Sequence, residues 1–343
     1  MVLMLYAVCA FCRSPLAGED MIIPIFVPHD GCPNDCAFCN QRTISGKAAA
    51  PTEEEVHRII RAHLAQNGAE AEQIAFFGGS FTGIEENRRR MYLETAYEYV
   101  KKGVVKSIRI STRPDYINDE IIKELLCYKV KNVELGAQSM DEAVLIASKR
   151  GHSAEDVEKA ARIINDSGIT LGLQMMTGLP CDSDEKCLYT ARRFKELGAK
   201  ETRIYPTVVL KGTLLSKMYE SGEYTAHSVE DATRICAKLY RYFNDNEIKI
   251  LRIGLPDSSE LRENYIAGAY HPSLGEMVIS RDIRNMIEEY AIGKDTVNLR
   301  VNSRFISKLN GNKRCNIRYF GEKGITLNVT VDENTEKIIM EES

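Results

Sequence analysis

Three cysteines, Cys32, Cys36 and Cys39, lie close together in the stretch Gly31–Gln41 with the spacing C-x₃-C-x₂-C. Clustered thiolates bind zinc, iron–sulfur clusters or other soft metals. A structural zinc needs a fourth ligand, and His29 would complete a Cys₃His set on paper. A [4Fe–4S] cluster on three thiolates would instead leave one iron without a protein ligand, and an open coordination position is where chemistry occurs. The spacing alone leaves both interpretations open.

The elements that must position these thiols alternate between apolar runs and helical patterns. The predicted strands are Ile22–Val27, Gln73–Phe77, Ser107–Ser111, Asn132–Leu135, Thr170–Met176, Thr202–Leu210 and Ile248–Ile253. The predicted helices are Thr52–Gln66, Glu85–Lys101, Asn118–Cys127, Ala154–Ser167, Ser183–Leu197 and Val229–Phe243. This alternation predicts right-handed βαβ crossovers and a parallel sheet, either doubly wound or curled into a barrel. Both architectures place ligands at the carboxyl ends of the strands, where most of the motifs fall.

Length and composition set the broad class. The chain has 343 residues, 44% of them hydrophobic, which suits a large domain with a smaller one. A net charge of −4 excludes a general polyanion-binding surface. Ten irregularly spaced cysteines favour a reducing cytosol, so we expect a cytoplasmic protein without a membrane partner.

The two ends of the chain are predicted to lie outside the main domain. Residues 1–20 are expected to be an extension, because their apolar run is far shorter than the roughly 20 residues that span a bilayer. This extension contains Cys9-x-x-Cys12, an alternative metal or redox pair. The main domain is expected to cover residues 21–255. Residues 256–343 are expected to form a small α+β region, with a linker from residue 256 to 259, helical or irregular structure over 260–293, and strands at Val297–Val301, Cys315–Phe320 and Ile325–Val331.

The cysteine motif, placed after the first strand of a βα domain, resembles the radical S-adenosylmethionine (radical SAM) superfamily. The resemblance implies a [4Fe–4S] cluster on Cys32, Cys36 and Cys39, whose fourth iron binds the amine and carboxylate of S-adenosyl-L-methionine. One electron, from a donor such as flavodoxin or ferredoxin, would then cleave the sulfonium to a 5′-deoxyadenosyl radical. The resemblance and the strand pattern together predict a partial (β/α)₆ TIM-like barrel with the small C-terminal α+β appendage.

Further motifs match the family at the ends of the first three strands. Phe38 occupies the aromatic position that lies near the adenine in the family. Gly78 and Gly79 match a Gly-Gly-Glu type turn whose backbone receives the methionine ammonium, although Ser80 stands where glutamate is common. Arg113 follows the third strand, where family members place polar groups that contact the cosubstrate.

The fourth and fifth strands carry motifs similar to those of oxygen-independent coproporphyrinogen III dehydrogenase. By that match Gln138 should hydrogen-bond the cosubstrate, and Arg150 should pair with its carboxylate, which suits a guanidinium fork. Gln174 replaces the aspartate that helps to bind the ribose in that branch. A glutamine can still donate and accept hydrogen bonds.

The stretches Arg203–Thr213 and Ala267–Glu276 resemble the radical SAM domain of the Elongator catalytic subunit. In this interpretation Tyr205 and Lys211 face the substrate as catalytic candidates; alternatively they are a packed aromatic and a charge at the rim. The Elongator subunit has a wider first cysteine gap and an acetyltransferase domain, so acetyl transfer is not expected here.

Transfer RNA is the leading substrate by this resemblance. A porphyrinogen or another small molecule is the alternative, and a non-catalytic protein that binds the cluster, the cosubstrate or haem is a further one. A locally basic tail would serve phosphates, or would be an ordinary charged surface. Its members are Arg300, Arg304, Lys308, Lys313, Arg314 and Arg318.

Overall fold

Seven parallel strands form the main sheet of the protein. The computed structural model describes residues 21–27, 32, 36–39, 50–66 and 70–341. The sheet follows chain order through β1 (Ile22–Val27), β2 (Ala71–Gly78), β3 (Val105–Thr112), β4 (Val130–Gln138), β5 (Thr170–Thr177), β6 (Glu201–Pro206) and β8 (Lys249–Ile253). Within the described ranges β1 does not pair with β8, so the curled sheet stays open on one side. The expected partial barrel is therefore confirmed.

Helices connect consecutive strands and cover the outside of the sheet. They are α1 (Glu53–Gln66), α2 (Glu86–Lys101), α3 (Asp119–Cys127), α4 (Glu142–Ala147), α5 (Ala154–Asp166), α6 (Asp184–Glu196), α7 (Leu214–Glu220) and α8 (Val229–Asp245). The predicted helices agree with α1, α2, α3, α5, α6 and α8 to within one or two residues. Short α4 and α7 were not predicted, since neither is long enough to show a helical period.

Helix α5 illustrates how the sequence fixes these elements. Ser153 and Asp156 form a capping box, in which each side chain accepts a hydrogen bond from the backbone N–H of the other residue. The apolar residues then recur on one face and pack against the sheet. This is the pattern from which the helix was predicted.

A buried polar network fills the inner face of the sheet below its carboxyl edge. The Arg109 guanidinium donates to both oxygens of Glu201, at 2.7 and 3.1 Å, and Arg203 Nε donates to Glu134 at 2.5 Å. Gly172 makes room for this network, because a Cβ there would lie 2.9 Å from Glu134 Cγ. Two cations and two anions balance each other, which buried charges require.

A second, smaller sheet lies beyond the end of β6. Strand β7 (Val208–Leu210) pairs antiparallel with β9 (Tyr265–Gly268), which follows helix α9 (Ser259–Asn264). Val209 packs there with Leu215 and Tyr224 in a small apolar cluster. We call the pair of strands β7 and β9 the ribbon.

The C-terminal region forms its own small core. It contains α10 (Leu274–Tyr290), β10 (Thr296–Val301), α11 (Ile306–Asn310), α12 (Cys315–Glu322), β11 (Thr326–Val331) and β12 (Ile338–Glu341). Helix α10 contributes Val278 to the core of the main sheet and Ile283 to the core of the tail. The division into three regions stays a prediction, and the N-terminal extension with its Cys9-x-x-Cys12 pair lies outside the described residues. No helix in the described part is both long and apolar enough to cross a membrane.

Two predicted elements were wrong in detail, and two strands were not predicted. Cys315–Phe320 is helical rather than a strand: its Asn316 and Phe320 lie four residues apart on one buried helix face, although its aromatic and branched residues favour strands. The predicted strand Thr202–Leu210 is broken at Thr207, whose N–H and hydroxyl both donate to the Thr177 carbonyl. Strand β9 lies in a segment predicted to be helical or irregular, and β12 lies where no element was predicted.

Candidate functional site

One pocket at the carboxyl edge of the sheet gathers nearly all the predicted site residues. These are Cys32, Cys36, Phe38, Cys39, Gly78, Gly79, Ser80, Arg113, Gln138, Arg150 and Gln174. They come from the loops after β1, β2, β3 and β4 and from the end of β5. Because parallel strands bring their carboxyl ends to one edge, residues far apart in sequence converge there.

The segment 36–39 is held from two sides by backbone hydrogen bonds. The Ala37 N–H donates to the Ser148 carbonyl at 2.9 Å, and the Leu215 N–H donates to the Ala37 carbonyl at 2.8 Å. Phe38 lines the pocket and also packs against the cluster of Val209, Leu215 and Tyr224. The thiols of Cys36 and Cys39 are thus presented on a segment fixed both to the loop before Arg150 and to helix α7.

Two arginines and a backbone N–H partly oppose the effect of burial on the Cys32 thiol in this pocket. Burial raises the pKa of the Cys32 thiol, while the Ser80 N–H and the guanidinium groups of Arg150 and Arg113 act in the opposite direction. Arg150 Nη1 donates to Cys36 Sγ at 3.3 Å. Positive neighbours of this kind suit cysteines that bind metal as thiolates.

The described thiols do not form a single-ion chelate. Among residues that the structure describes, no three His, Cys, Asp or Glu side chains are arranged to hold one metal ion. In a [4Fe–4S] cluster each cysteine binds a different iron, so its thiolates stand farther apart than the ligands of one zinc. His29, the possible fourth zinc ligand, lies outside the described residues.

The backbone conformation at the end of β2 requires a glycine at position 78. Gly78 has φ +118°, and a Cβ there would lie 2.4 Å from the Val27 carbonyl oxygen. Ser80, next to this turn, has a hydroxyl where a glutamate would have a carboxylate. Its hydroxyl hydrogen-bonds with the Thr112 hydroxyl at 2.9 Å and accepts from the Arg113 N–H at 3.3 Å. Ser80 therefore joins the ends of β2 and β3.

The end of β4 positions Arg150 and Gln138. Arg150 Nη2 donates to the Gly136 carbonyl at 2.7 Å, and a Cβ at Gly136 would lie 2.9 Å from that nitrogen. Gln138 adopts φ 68° at an irregularity in the pairing of β4 with β5, and its Oε1 accepts from Gln174 Nε2 at 3.4 Å. Left-handed backbone at a non-glycine residue is strained and tends to occur at functional sites.

Arg150 has hydrogen-bonding capacity that the described protein does not use. Its Nε is buried without a hydrogen-bond partner among the described residues. A buried guanidinium nitrogen left in this state is costly, and a carboxylate ligand would supply the missing acceptor. The pocket thus fits an anionic cosubstrate beside the thiols.

The two predicted catalytic residues lie apart from this pocket. Tyr205 is half-buried beside the guanidinium groups of Arg203 and Arg252, and burial raises the pKa of its phenol. Lys211 is exposed, and its Nζ donates to the Glu263 carbonyl oxygen at 2.8 Å, next to the ribbon. Neither side chain lines the pocket, so the catalytic roles of both stay predictions.

Three further residues line the pocket without having been selected from the sequence. They are Ser111, Thr112 and Gly136. All three lie at the ends of strands β3 and β4, close to Arg113 and Gln138, and this position was the available signal. Thr112 Oγ1 also contacts the Thr82 hydroxyl at 2.6 Å, which no local pattern predicts because the two belong to different strand ends.

His152 should make stability depend on pH because its side chain is buried against strand β4. Its Nε2 lies 3.2 Å from the Ala137 carbonyl oxygen, and burial, together with Arg150 and Arg113, lowers its pKa to about 3 against the opposing charge of Asp115. Because the unfolded histidine gains a proton below about pH 6.5 and the folded one does not, stability falls as pH falls from 6.5. Urea unfolding should show a loss on the order of 2 kcal/mol between pH 7.5 and pH 5.

The variant His152→Gln keeps a donor for the Ala137 carbonyl but has no titrating group. It should therefore lose less unfolding free energy over the same pH interval. Equal losses in the wild-type protein and in the variant would show that His152 is not the titrating group.

The fold and the site together define a class: open parallel half-barrels with three cysteines in a pocket at the carboxyl edge. Comparison with known families agrees. The model of the radical SAM superfamily matches residues 26–194, and the model of the Radical_SAM C-terminal domain matches residues 199–284. The chain belongs to the radical SAM superfamily. Its members are enzymes that use a [4Fe–4S] cluster and S-adenosyl-L-methionine, so the expected family and cofactors are confirmed.

Individual relatives agree with the resemblance to Elongator. The chain is 36% identical over 186 residues to a tRNA uridine(34) acetyltransferase of Methanocaldococcus infernus, a match covering 48% of this chain and 34% of the relative. It is 28% identical over 260 residues to human Elongator complex protein 3, covering 66% of this chain and 46% of the relative. The chain thus spans about a third to a half of these two relatives.

A solved structure shares the fold. The archaeal Elp3 of Methanocaldococcus infernus with an N-terminal deletion superposes with a TM-score of 0.64 at 20% sequence identity. The match covers 79% of this chain and 63% of that structure. At this identity the likeness supports the architecture of the half-barrel.

Proposed function

We propose that this chain is a radical SAM enzyme that acts on transfer RNA. The observation that carries the proposal is the convergence of three thiols, a glycine turn and two buried arginines in one pocket at the carboxyl edge of the half-barrel. Together, a reduced [4Fe–4S] cluster and S-adenosylmethionine supply radical chemistry that begins with reductive cleavage of the sulfonium.

In this proposal, different residues of the chain bind the cluster and the different parts of the cosubstrate. Cys32, Cys36 and Cys39 are proposed to hold three irons of the cluster and to leave the fourth open for the cosubstrate. The Gly78–Gly79 turn lets the ligand approach the backbone closely, and Arg150 pairs with the carboxylate of the ligand. Phe38, Gln138 and Gln174 surround the remaining part, with the two glutamines offering both donors and acceptors.

Ser80 and Arg113 both contact other parts of the protein around the pocket, and we propose that these contacts stabilise the site. Ser80 braces the ends of two strands, and its backbone N–H faces the Cys32 sulfur. Arg113 adds positive charge beside the thiols and contacts the loop that carries Arg150. Both residues line the pocket, so direct contact with the cosubstrate remains part of the proposal.

Transfer RNA as the substrate rests on the relatives, which are named as tRNA uridine(34) acetyltransferase and Elongator proteins. The open side of the half-barrel suits a substrate larger than a metabolite, and Tyr205 lies on β6 toward this side. The basic tail contributes less than its composition suggests, because Arg300 pairs with Asp332 and Glu341. An electron donor such as flavodoxin or ferredoxin completes the proposal, and the cytosol is the proposed compartment.

The test is formation of 5′-deoxyadenosine after anaerobic reconstitution of the cluster, with dithionite as reductant. The product should appear with S-adenosylmethionine and increase when tRNA from a strain lacking the gene is added. Cys36→Ala is the matched inactive control. A loaded cluster that yields no product even with tRNA would favour a non-catalytic binder, and stimulation by a porphyrinogen instead of tRNA would overturn the assigned substrate.

A further inference from the structure

Arg113 makes its strongest contacts with protein groups, although it lines the pocket. Its Nε and Nη2 donate to the two carboxylate oxygens of Asp115, both at 2.9 Å. Its Nη1 donates to the backbone carbonyl oxygen of Arg150, also at 2.9 Å. Three guanidinium nitrogens therefore each have a protein acceptor, which suits a residue that holds another part of the site.

The contact with Asp115 fixes the direction of the Arg113 side chain. A two-pronged guanidinium–carboxylate pair constrains orientation as well as distance. Asp115 belongs to the short turn Pro114–Tyr116 immediately after Arg113, so the pair forms locally at the end of β3. The Asp115 side chain is 25% exposed, whereas that of Arg113 is 3% exposed, so the fork presents Nη1 inward toward the Arg150 loop.

The Arg150 carbonyl belongs to a backbone segment that needs external support. Lys149 and Gly151, on either side of Arg150, both adopt left-handed conformations, with φ 50° and 75°. A non-glycine residue in this region is strained and persists only when surrounding contacts enforce it. The contact from Arg113 fixes the backbone of Arg150 between these two residues.

This backbone carries the guanidinium that serves the pocket. Arg150 reaches Cys36 Sγ with Nη1 and the Gly136 carbonyl with Nη2, leaving Nε without a partner among the described residues. A small rotation of the residue-150 backbone would move all three nitrogens together. Bidentate recognition of a carboxylate loses strength rapidly with such misplacement.

We propose that Asp115 and Arg113 form a positioning pair for Arg150. Asp115 orients Arg113, Arg113 holds the Arg150 carbonyl, and the Arg150 guanidinium is thereby aimed at an anionic ligand. Asp115 is thus a residue of the site that does not line the pocket itself. The inference rests on the proposed binding of S-adenosylmethionine.

The test measures the dissociation constant of S-adenosylmethionine for the anaerobically reconstituted full chain, together with iron per chain and melting temperature. Asp115→Asn should weaken binding about fivefold to tenfold with iron content unchanged, because the amide replaces one of the two acceptor oxygens with an NH₂ group that faces a guanidinium donor. Asp119→Asn, the same change on an exposed carboxylate four residues further on, is the matched control and should bind like the wild type.

The decisive comparison is made in the background Arg150→Ala. If Asp115 acts through Arg150, adding Asp115→Asn there should change the affinity by less than twofold. Arg113→Lys retains the charge but loses the fork, and it should resemble Asp115→Asn. This second variant keeps the proposal testable should Asp115→Asn fold poorly.

Two outcomes would overturn the positioning role while leaving the proposed function intact. One is wild-type affinity in Asp115→Asn; the other is an equal loss with and without the Arg150 side chain. If the wild-type protein itself binds no S-adenosylmethionine, the proposed function is wrong and the positioning role falls with it.

Discussion

Replacing Cys32, Cys36 or Cys39 with alanine is expected to abolish the cluster in each single variant. The three thiols share one pocket, and in the proposed arrangement each binds a different iron, so each single substitution removes one of the three protein ligands. Reconstituted wild-type protein should contain roughly four irons per chain and show the broad visible absorption of a [4Fe–4S] cluster. The three alanine variants should retain little of the iron and little of the visible absorption.

The other described cysteines supply the matched controls. Cys127 and Cys181 are exposed, Cys315 is half-buried, and Cys187 and Cys236 are buried within the core. Burial raises the pKa of both core thiols, to about 12 for Cys236, so they are unsuited to act as thiolate ligands. Alanine at any of the five should leave the iron content unchanged, and loss of the cluster in one of them would show that the ligand assignment is wrong.

Replacing Arg150 with alanine should weaken binding of S-adenosylmethionine by about 10- to 100-fold, as expected for loss of a hydrogen-bonded pair with a charged group, about 1.5–3 kcal/mol. The loss should be specific to the carboxylate, because Arg150 brings into the pocket a buried guanidinium whose Nε has no hydrogen-bond partner among the described residues. Equilibrium binding to the reconstituted protein measures the effect. Iron content must be measured in parallel, since Arg150 also donates to Cys36.

A ligand without the carboxylate separates this role from a general effect on the site. Wild-type protein should prefer S-adenosylmethionine to its decarboxylated analogue, and Arg150→Ala should lose most of that preference. Arg162→Ala removes an exposed arginine from α5 and should leave the preference intact. An undiminished preference in Arg150→Ala would remove Arg150 from the carboxylate site.

Much of the fold could be predicted because the strands of a parallel sheet are buried on both faces. Strand β1 was predicted with its observed bounds, and β5 to within one residue. Prediction failed where tertiary contacts override local preference. At α12 the burial of Asn316, whose Nδ2 donates to the Ser280 carbonyl, favours a helix over the strand that its neighbours suggest.

The candidate site was predictable to the extent that its residues lie in short motifs at strand ends. The cysteines, the glycine turn and Arg150 were selected in this way, and the structure brings them together. The sequence did not predict which residues of one motif contact residues of another. The carboxylate of Asp115 and the carbonyl of Arg150 both accept hydrogen bonds from Arg113, although Asp115 and Arg150 lie 35 positions apart in the sequence.

Electron paramagnetic resonance of the reduced, reconstituted protein, before and after addition of S-adenosylmethionine, tests the central claim most directly. A three-cysteine [4Fe–4S] cluster with an open iron should give a spectrum that changes when the amine and carboxylate of the cosubstrate bind that iron. A cluster signal that S-adenosylmethionine leaves unaltered, or a mononuclear ion fully bound by protein ligands, would contradict the account.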